Sequence, residues 1–145
     1  MLFRSTVGPG DLAERVAIHR DVWEPSRVTE SSYRGVMVEW PYRGSLDCVV
    51  EAPDGRFAAY CLVWPDDENR VGELEPVGVR EEFRRRGLGA AVCTFALRVA
   101  LAERIFAANG LSRQASRKTS LTLASPMVCS SVRSTLIAAP SLTSI

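Results

Sequence analysis

Two short turns divide residues 48–79 into three apolar segments, and this pattern constrains the fold more than any other feature of the chain. The segments cover residues 48–51, 57–64 and 71–79, and each has the length and residue types of a β-strand. Residues 53–55 and 65–69 carry the Pro, Asp, Asn and Gly side chains that favour turns. Strands joined by turns this short pair antiparallel, so the sequence predicts a three-stranded meander.

A strand and a helix are predicted at the amino-terminal end. Residues 2–7 can form a short strand before a Gly-Pro-Gly turn. Asp11 followed by Glu14 has the spacing of a capping box, which predicts a helix that starts at Asp11 and is stopped by Pro25. The side chains expected to share one helix face are Leu12, Val16, His19 and Trp23.

A second helix is predicted between Thr29, as its cap, and Pro41, which ends it. Tyr33, Val36, Met37 and Trp40 recur along it at helical spacing. The aromatic and Met side chains of both helices can belong to the core or line a pocket for a second substrate; this set is Trp23, Tyr33, Met37, Trp40 and Tyr42. His19, the sole histidine, is expected at the surface or the edge of the core.

A charged loop over residues 80–86 follows the meander, and a third helix is predicted from Gly87. Its apolar positions are Leu88, Val92, Phe95 and Val99, and Asn109-Gly110 is a candidate C-cap. Residues 121–123 can form a strand parallel to the one that ends at Val79, which would complete a right-handed crossover.

The start of the third helix has the features of a phosphate site. Backbone N–H groups at a helix start lack intrahelical acceptors and lie at the positive end of the helix dipole. Gly87 and Gly89 remove Cβ atoms there, and Arg84, Arg85 and Arg86 add positive charge. The chain lacks the P-loop motif and lacks a dinucleotide-binding glycine motif after a strand. The alternatives for the arginines are a solvated loop or an RNA contact.

The segment Arg84-x-x-Gly87-x-Gly89 resembles the signature of the GCN5-related N-acetyltransferase (GNAT) family. The order of predicted elements is also the family's order, and the resemblance covers residues 2–111. It implies an α/β fold, with a GNAT-type mixed, mainly antiparallel sheet flanked by helices and an incomplete or divergent C-terminal third. Residues 1–111 would form the acetyl-CoA-binding domain.

The resemblance implies acetyl-CoA as cosubstrate and assigns residues to it. The backbone of Val77, Gly78 and Val79 would bind the pantetheine arm. The residues from Arg84 to Ala90 would wrap the pyrophosphate; they are Arg84, Arg85, Arg86, Gly87, Leu88, Gly89 and Ala90.

The implied reaction is direct transfer of an acetyl group to an amine of a small molecule or peptide. By its strand position Glu75 is the candidate base that deprotonates the amine, and a strand N–H near Val77 would stabilise the oxyanion. Glu73 lies two residues away and is the alternative base. Solvated edge-strand carboxylates are the structural alternative for both.

Residues 112–145 differ in composition from the rest of the chain. Ser or Thr occupies 13 of their 34 positions, and they contain no acidic or aromatic residue. The Tyr that commonly protonates the leaving thiolate in the family has no counterpart, because Tyr60 is the last tyrosine, and there is no Gly-Phe pair. A changed reading frame or natural divergence would account for this tail. The alternative function is therefore a catalytically defective acyl-CoA-binding copy.

The tail is expected to be largely disordered apart from the strand at 121–123, because it has too few sustained apolar patterns to offset its ordering entropy. A missing C-terminal third would leave Val92 and Phe95 partly exposed, so we also expect dimerisation or aggregation.

Composition limits the other classes of partner. A net charge of +1 gives no argument for nucleic acid or an anionic membrane, and no apolar run is long enough to span a bilayer. The N-terminus lacks the apolar stretch of a secretion signal. The four cysteines, Cys48, Cys61, Cys93 and Cys129, are far apart in apolar surroundings and indicate buried free thiols in the cytoplasm, with no metal site.

Overall fold

The computed structural model describes residues 1–105, within which the chain forms four strands and three helices. The strands are β1 (Leu2–Arg4), β2 (Asp47–Glu51), β3 (Phe57–Asp66) and β4 (Val71–Val79). The helices are α1 (Leu12–Val22), α2 (Glu30–Val38) and α3 (Leu88–Ala102). The strand predicted at 121–123 and the whole of the predicted tail lie outside the described residues.

The four strands form one antiparallel sheet in the order β1-β2-β3-β4. This confirms the predicted antiparallel meander and the α/β fold class. Strand β1 ends at Arg4, three residues before the predicted limit. Val7 leaves the sheet because its N–H donates to the Gly44 carbonyl (3.3 Å) and its side chain is buried in the core beneath α1.

Both faces of the sheet are covered. One face carries the α3 core, in which Cys48 and Val50 of β2 and Cys61 of β3 pack against α3 residues such as Val92 and Ala96. The opposite face carries α1, where Ile18 packs with Val49 and Tyr60. Alternate residues of β2 therefore enter opposite cores, which is why its central residues 48–50 are all apolar.

Val92 is fully buried in the α3 core, so its predicted exposure is wrong. It faces the centre of the sheet, where β2 and β3 cover it. Phe95 is half-buried, and its ring contacts that of Phe3 at a centroid distance of 5.4 Å.

The predicted capping box of α1 is wrong. Asp11 makes no side-chain cap for this helix, and its carboxylate accepts from the N–H of Gly8 (2.9 Å) and from Arg4 (2.8 Å). Glu14 instead turns to the sheet and accepts from the Phe57 N–H at 2.8 Å. The helix also ends at Val22, before Pro25 can act on it.

Helix α2 has the predicted cap. The Ser32 N–H donates to the Thr29 hydroxyl (3.1 Å), and the Thr29 N–H donates to the Ser32 hydroxyl (2.9 Å). The helix ends at Val38, before Trp40, whose side chain is 81% exposed. Trp40 is therefore not part of the helix face on which Tyr33 is buried.

Helix α3 ends at Ala102, short of the predicted C-cap at Asn109-Gly110. The Ile105 N–H donates to the Ala100 carbonyl (2.9 Å) and the Arg104 N–H to the Leu101 carbonyl (3.0 Å), which is a Schellman motif. Arg104 adopts the left-handed conformation that glycine usually supplies there, with φ 61°. Ile105 is buried in the core, and this contact compensates for the unfavourable backbone.

Candidate functional site

Helix α3 begins at Leu88, and in the described part of the chain no side chain caps it. Gly87 occupies the N-cap position with φ 74° and ψ 5°. The Ala91 N–H donates to the Gly87 carbonyl (3.0 Å), so the N–H groups before Ala91 have no acceptor inside the helix. Together with the positive end of the helix dipole, these groups form a potential anion site.

The two glycines at this start have different structural roles. Gly87 adopts a left-handed backbone that a side chain would strain, although a Cβ would meet no atom within 4 Å. Gly89 has no such backbone requirement, and its Cβ would make an ordinary contact with Val79 Cγ2 at 3.6 Å. The backbone therefore favours glycine at position 87, whereas position 89 would tolerate alanine in the absence of a ligand.

Three exposed arginines precede the helix. Arg84 Nε donates to the Val79 carbonyl at 3.3 Å, and the Arg86 guanidinium lies over the Phe83 ring at 5.6 Å. Arg85 has a left-handed backbone, with φ 62°. Within residues 1–105 none of the three forms a salt bridge with a carboxylate. Their charge is therefore available to an anion at the helix start.

The start of this loop is fixed by Arg80, the first residue of the predicted charged loop. Arg80 is only 4% exposed, and its guanidinium donates to Glu14 (2.6 Å) and Asp21 (2.7 Å) of α1. The Phe83 N–H donates to the Arg80 carbonyl (3.0 Å), and the Phe83 ring is buried. The two carboxylates lie about two helical turns apart on α1 and enclose the charge of Arg80, so this end of the charged loop is buried.

Strand β4 is irregular next to the predicted base. Val77 is paired with Cys61 and Leu74 with Val63, so β4 has one residue more than β3 between these pairs. This is a β-bulge at residues 75–76, where Pro76 has no N–H to donate to the ladder. Glu75 is exposed at this bulge, and Glu73 is half-buried opposite Trp64.

The three residues predicted to bind pantetheine follow the bulge. Val77 and Val79 are half-buried and pack their side chains against the α3 core. Gly78 is buried, and a Cβ there would lie 2.6 Å from Cε1 of Tyr60 and 2.9 Å from Cγ1 of Val22. Position 78 is therefore glycine because the Tyr60 ring occupies the space of a side chain.

A hydrogen-bonded group lies around the Tyr60 hydroxyl. Trp23 Nε1–H donates to it at 2.7 Å, and His19 Nδ1 lies 3.1 Å from it. Burial raises the pKa of Tyr60 to about 12, so the phenol stays protonated. Burial, and then the charge of Arg15, lower the pKa of His19, so the imidazole is neutral at pH 7. His19 lies at the edge of the core, as predicted.

A second buried polar group was not predicted from the sequence. Arg15 and Asp47 are fully buried and joined by an ion pair of 2.9 Å. Tyr33 and Tyr42 donate their hydroxyls to Asp47 at 2.6 and 3.2 Å, and burial raises the pKa of both tyrosines. Arg15 also lies over the Tyr60 ring at 4.0 Å. The only sequence signal was an arginine inside the apolar stripe of α1.

The thiols of Cys48 and Cys61 are free and fully buried, as predicted, and Cys93 is free and half-buried. Burial raises the pKa of Cys48 to about 12, which makes its thiol a poor nucleophile. Cys129 lies outside the described residues. Residues 1–105 contain no group of three or more His, Cys, Asp or Glu side chains placed to hold a metal ion. None of their helices is long and apolar enough to cross a membrane.

The structure brings the predicted residues together at one end of the sheet. Arg84 donates to the Val79 carbonyl, a Cβ at Gly89 would lie 3.6 Å from Val79 Cγ2, and Leu88 packs in the same small cluster as Val79 and Phe83. Glu75 lies on the same strand as Val79, beyond the bulge. The open helix start, the arginines and the carboxyl end of β4 therefore form one candidate site.

Comparison with known proteins gives a family match and a likeness of fold. The profile of the acetyltransferase (GNAT) family matches residues 15–119. No curated protein matches the chain. Among solved structures, the chain is similar to a GCN5-related N-acetyltransferase from Sphaerobacter thermophilus, with a TM-score of 0.63 and 18% identity over 72% of this chain and 33% of that one.

Two further structures show the same fold. A ribosomal-protein-alanine N-acetyltransferase from Brucella melitensis has a TM-score of 0.58 and 17% identity over 82% of each chain. The GNAT-like decarboxylase GphF, solved with isobutyryl-CoA, has a TM-score of 0.56 and 16% identity over 69% of this chain and 59% of that one. The chain thus spans a third of the Sphaerobacter chain and less than two thirds of GphF.

Proposed function

The chain belongs to the GNAT acetyltransferase family, and we propose that it binds acetyl-CoA and transfers the acetyl group to an amine of a small molecule or peptide. The observation that carries this proposal is the start of α3, which lies beside the end of β4 and directly after three arginines; within residues 1–105 no side chain caps it and none of these arginines forms a salt bridge. A pyrophosphate supplies the acceptor oxygens that the N–H groups of Leu88, Gly89 and Ala90 lack.

The fit to a ligand rests most directly on Gly89. No protein atom and no backbone strain requires glycine at this position. A ligand that approaches the helix start closely would require it, because a Cβ would stand between the ligand and the backbone. Arg84 holds the Val79 carbonyl at 3.3 Å and would exchange this contact for phosphate oxygens on binding.

The pantetheine arm would run along the backbone of Val77, Gly78 and Val79. The bulge at residues 75–76 changes the direction of β4 at this place, and bulges commonly lie beside active sites. Past the bulge, a strand N–H near Val77 would donate to the thioester oxygen as its negative charge develops.

The proposed reaction needs no acyl-enzyme. The amine nitrogen attacks the thioester carbonyl carbon, its proton passes to a base, and the C–S bond breaks to release CoA. Glu75 is the proposed base, because it is exposed at the bulge where a solvated amine can reach it. Glu73, half-buried opposite Trp64, is the alternative.

Calorimetric titration with acetyl-CoA tests the binding step. Gly89→Glu places a side chain and a negative charge at the open helix start, and should weaken binding by more than about 100-fold. Gly35→Glu is the matched control, because Gly35 is an exposed helical glycine whose Cβ would meet no atom within 4 Å. Absence of binding by folded wild-type protein would refute the proposal.

A second candidate function is acyl-CoA binding without turnover. It is favoured by the lack of any tyrosine after Tyr60 to protonate the thiolate. Tyr60 does not replace that tyrosine, because it is fully buried and its hydroxyl is bonded to Trp23 and His19. The proton would then have to come from a water molecule.

Thiol release measured with a panel of amines separates the two candidates. The defective copy should bind acetyl-CoA and release CoA no faster than buffer does. An active enzyme should release CoA with at least one amine, and Glu75→Gln should slow the reaction while the Kd for acetyl-CoA stays unchanged. Reading the coding sequence beyond codon 103 in all three frames would test the proposed frame change directly.

A further inference from the structure

Tyr60 contacts groups of two elements, β4 and α1 with its C-cap residue Trp23. Its ring lies against the backbone of Gly78 in β4, and the Arg15 guanidinium lies 4.0 Å from the ring centroid. Its hydroxyl contacts Trp23 and His19 at the end of α1. The Tyr60 side chain therefore links β4 to the end of α1.

The hydroxyl contacts allow a tautomer to be assigned to His19. Trp23 Nε1–H is a donor, so the Tyr60 oxygen accepts from it. The 3.1 Å distance between His19 Nδ1 and the Tyr60 oxygen fits either direction of the hydrogen bond, and we assign the Tyr60 O–H as the donor because the buried phenol keeps its proton. Neutral His19 therefore carries its proton on Nε2.

This group reaches from the interior to the surface. Tyr60 is fully buried, His19 is half-buried and Trp23 is 37% exposed. The exposed part of Trp23 therefore has a fixed orientation, because its indole N–H is bound inside the molecule. Gly78, against which the group packs, lies in the segment proposed to bind pantetheine.

We propose that Tyr60 is a positioning residue for the acceptor side of the site. It fixes the Trp23 indole and the His19 imidazole beside β4, so that the acceptor amine meets a wall of defined shape next to the thioester. This positioning role rests on the proposed acetyl transfer, because only that reaction uses an acceptor amine. The contacts of Tyr60 can be tested independently of it.

The test uses His19, which is the sole histidine and gives a single set of imidazole NMR signals. The charged and titratable groups that act on it are Arg15 on its own helix and Tyr60 on β3. Tyr60→Phe keeps the ring on Gly78 and removes the O–H that stabilises neutral His19. We expect the measured pKa of His19 to rise in this variant.

Tyr33→Phe is the matched control. It removes another buried hydroxyl, bonded to Asp47 at 2.6 Å, without a contact to His19, and should leave the pKa of His19 unchanged. Acetyl-CoA should also shift the His19 signals in wild type, and Tyr60→Phe should reduce this shift while the calorimetric Kd stays the same.

The two proposals fail in different ways. A His19 pKa that falls or stays constant in Tyr60→Phe would overturn the positioning role, whatever acetyl-CoA does. Absence of acetyl-CoA binding by calorimetry would instead refute the proposed function. A ligand-induced His19 shift that is equal in wild type and Tyr60→Phe would also overturn the positioning role.

Discussion

Helices α2 and α3 begin in opposite ways. The chain itself closes the start of α2, where Thr29 and Ser32 exchange two hydrogen bonds of 3.1 and 2.9 Å. At the start of α3, Gly87 offers no side chain, and the arginines before it add positive charge that no carboxylate within residues 1–105 neutralises. A helix start satisfied internally stabilises the fold, whereas one left open and positive is suited to a ligand.

Among the variants that compare the two helix starts, the largest effect should follow from removing the charge at the open start. Replacing Arg84, Arg85 and Arg86 together by Gln should weaken acetyl-CoA binding by about 10- to 100-fold, since charge-assisted hydrogen bonds to phosphate would be lost. The free energy of unfolding should not change, because these side chains are exposed and form no salt bridge within the described residues. Calorimetry and urea denaturation of the same variant measure both quantities. Unchanged affinity would contradict the role of the open start.

Loss of Arg80, the buried arginine at the start of the loop, should lower the stability of the fold. Arg80→Gln should lower the free energy of unfolding by about 2 kcal/mol, because Glu14 and Asp21 lose their shared partner in a half-buried site. Urea denaturation measures this change in the free energy of unfolding. Arg56→Gln is the control: Arg56 pairs with Asp54 and Glu82 at the surface, and its removal should leave stability unchanged. Equal effects from the two variants would contradict the structural role of Arg80.

The closed start should affect stability alone. Thr29→Ala should reduce the free energy of unfolding by about 1 kcal/mol, because the Ser32 N–H loses its acceptor. The Kd for acetyl-CoA should be unchanged. A thermal melt and a calorimetric titration are sufficient, and weaker ligand binding in this variant would show that the two helix starts are not independent.

The smallest effect concerns pH. Burial and Arg15 lower the pKa of His19 in the folded state, so below pH 6.5 the unfolded chain binds more protons at this residue. The stability that neutral His19 contributes is therefore present above pH 6.5 and decreases as the pH falls toward the lowered value. Denaturation at pH 7.5 and 5.5 should show this loss in wild type and a smaller loss in His19→Gln. An equal loss in both proteins would assign it to other groups.

The sequence predicted the elements whose signals are local. Strand β4 has its predicted limits because a turn and a charged loop bound it, and the Thr29 cap was predicted from one residue type before a periodic segment. The sequence analysis placed the end of α3 too late, because Arg104 adopts a left-handed backbone conformation that is uncommon for arginine. Only the burial of Ile105 makes that conformation favourable.

The residues of the candidate site also divide into those predicted from local sequence and those that depend on distant contacts. The glycine and arginine pattern of residues 84–89 predicted the open helix start, because backbone chemistry there depends on adjacent residues. The hydrogen-bond partners of Arg80 are 59 and 66 residues away along the sequence. Those of Tyr60 are 37 and 41 residues away. Such contacts depend on how α1 packs on the sheet, which periodicity alone does not fix.

We propose that the α3 start is open for the phosphates of acetyl-CoA, whereas the α2 start is closed by its own side chains. Backbone amide NMR compares the two starts in one sample. Addition of acetyl-CoA should strongly shift the amide signals of Leu88, Gly89 and Ala90. Inorganic pyrophosphate should shift the same signals less. Those of Glu30, Ser31 and Ser32 should not move. Unmoved signals at the α3 start under saturating acetyl-CoA, or equal shifts at both starts, would contradict the claim.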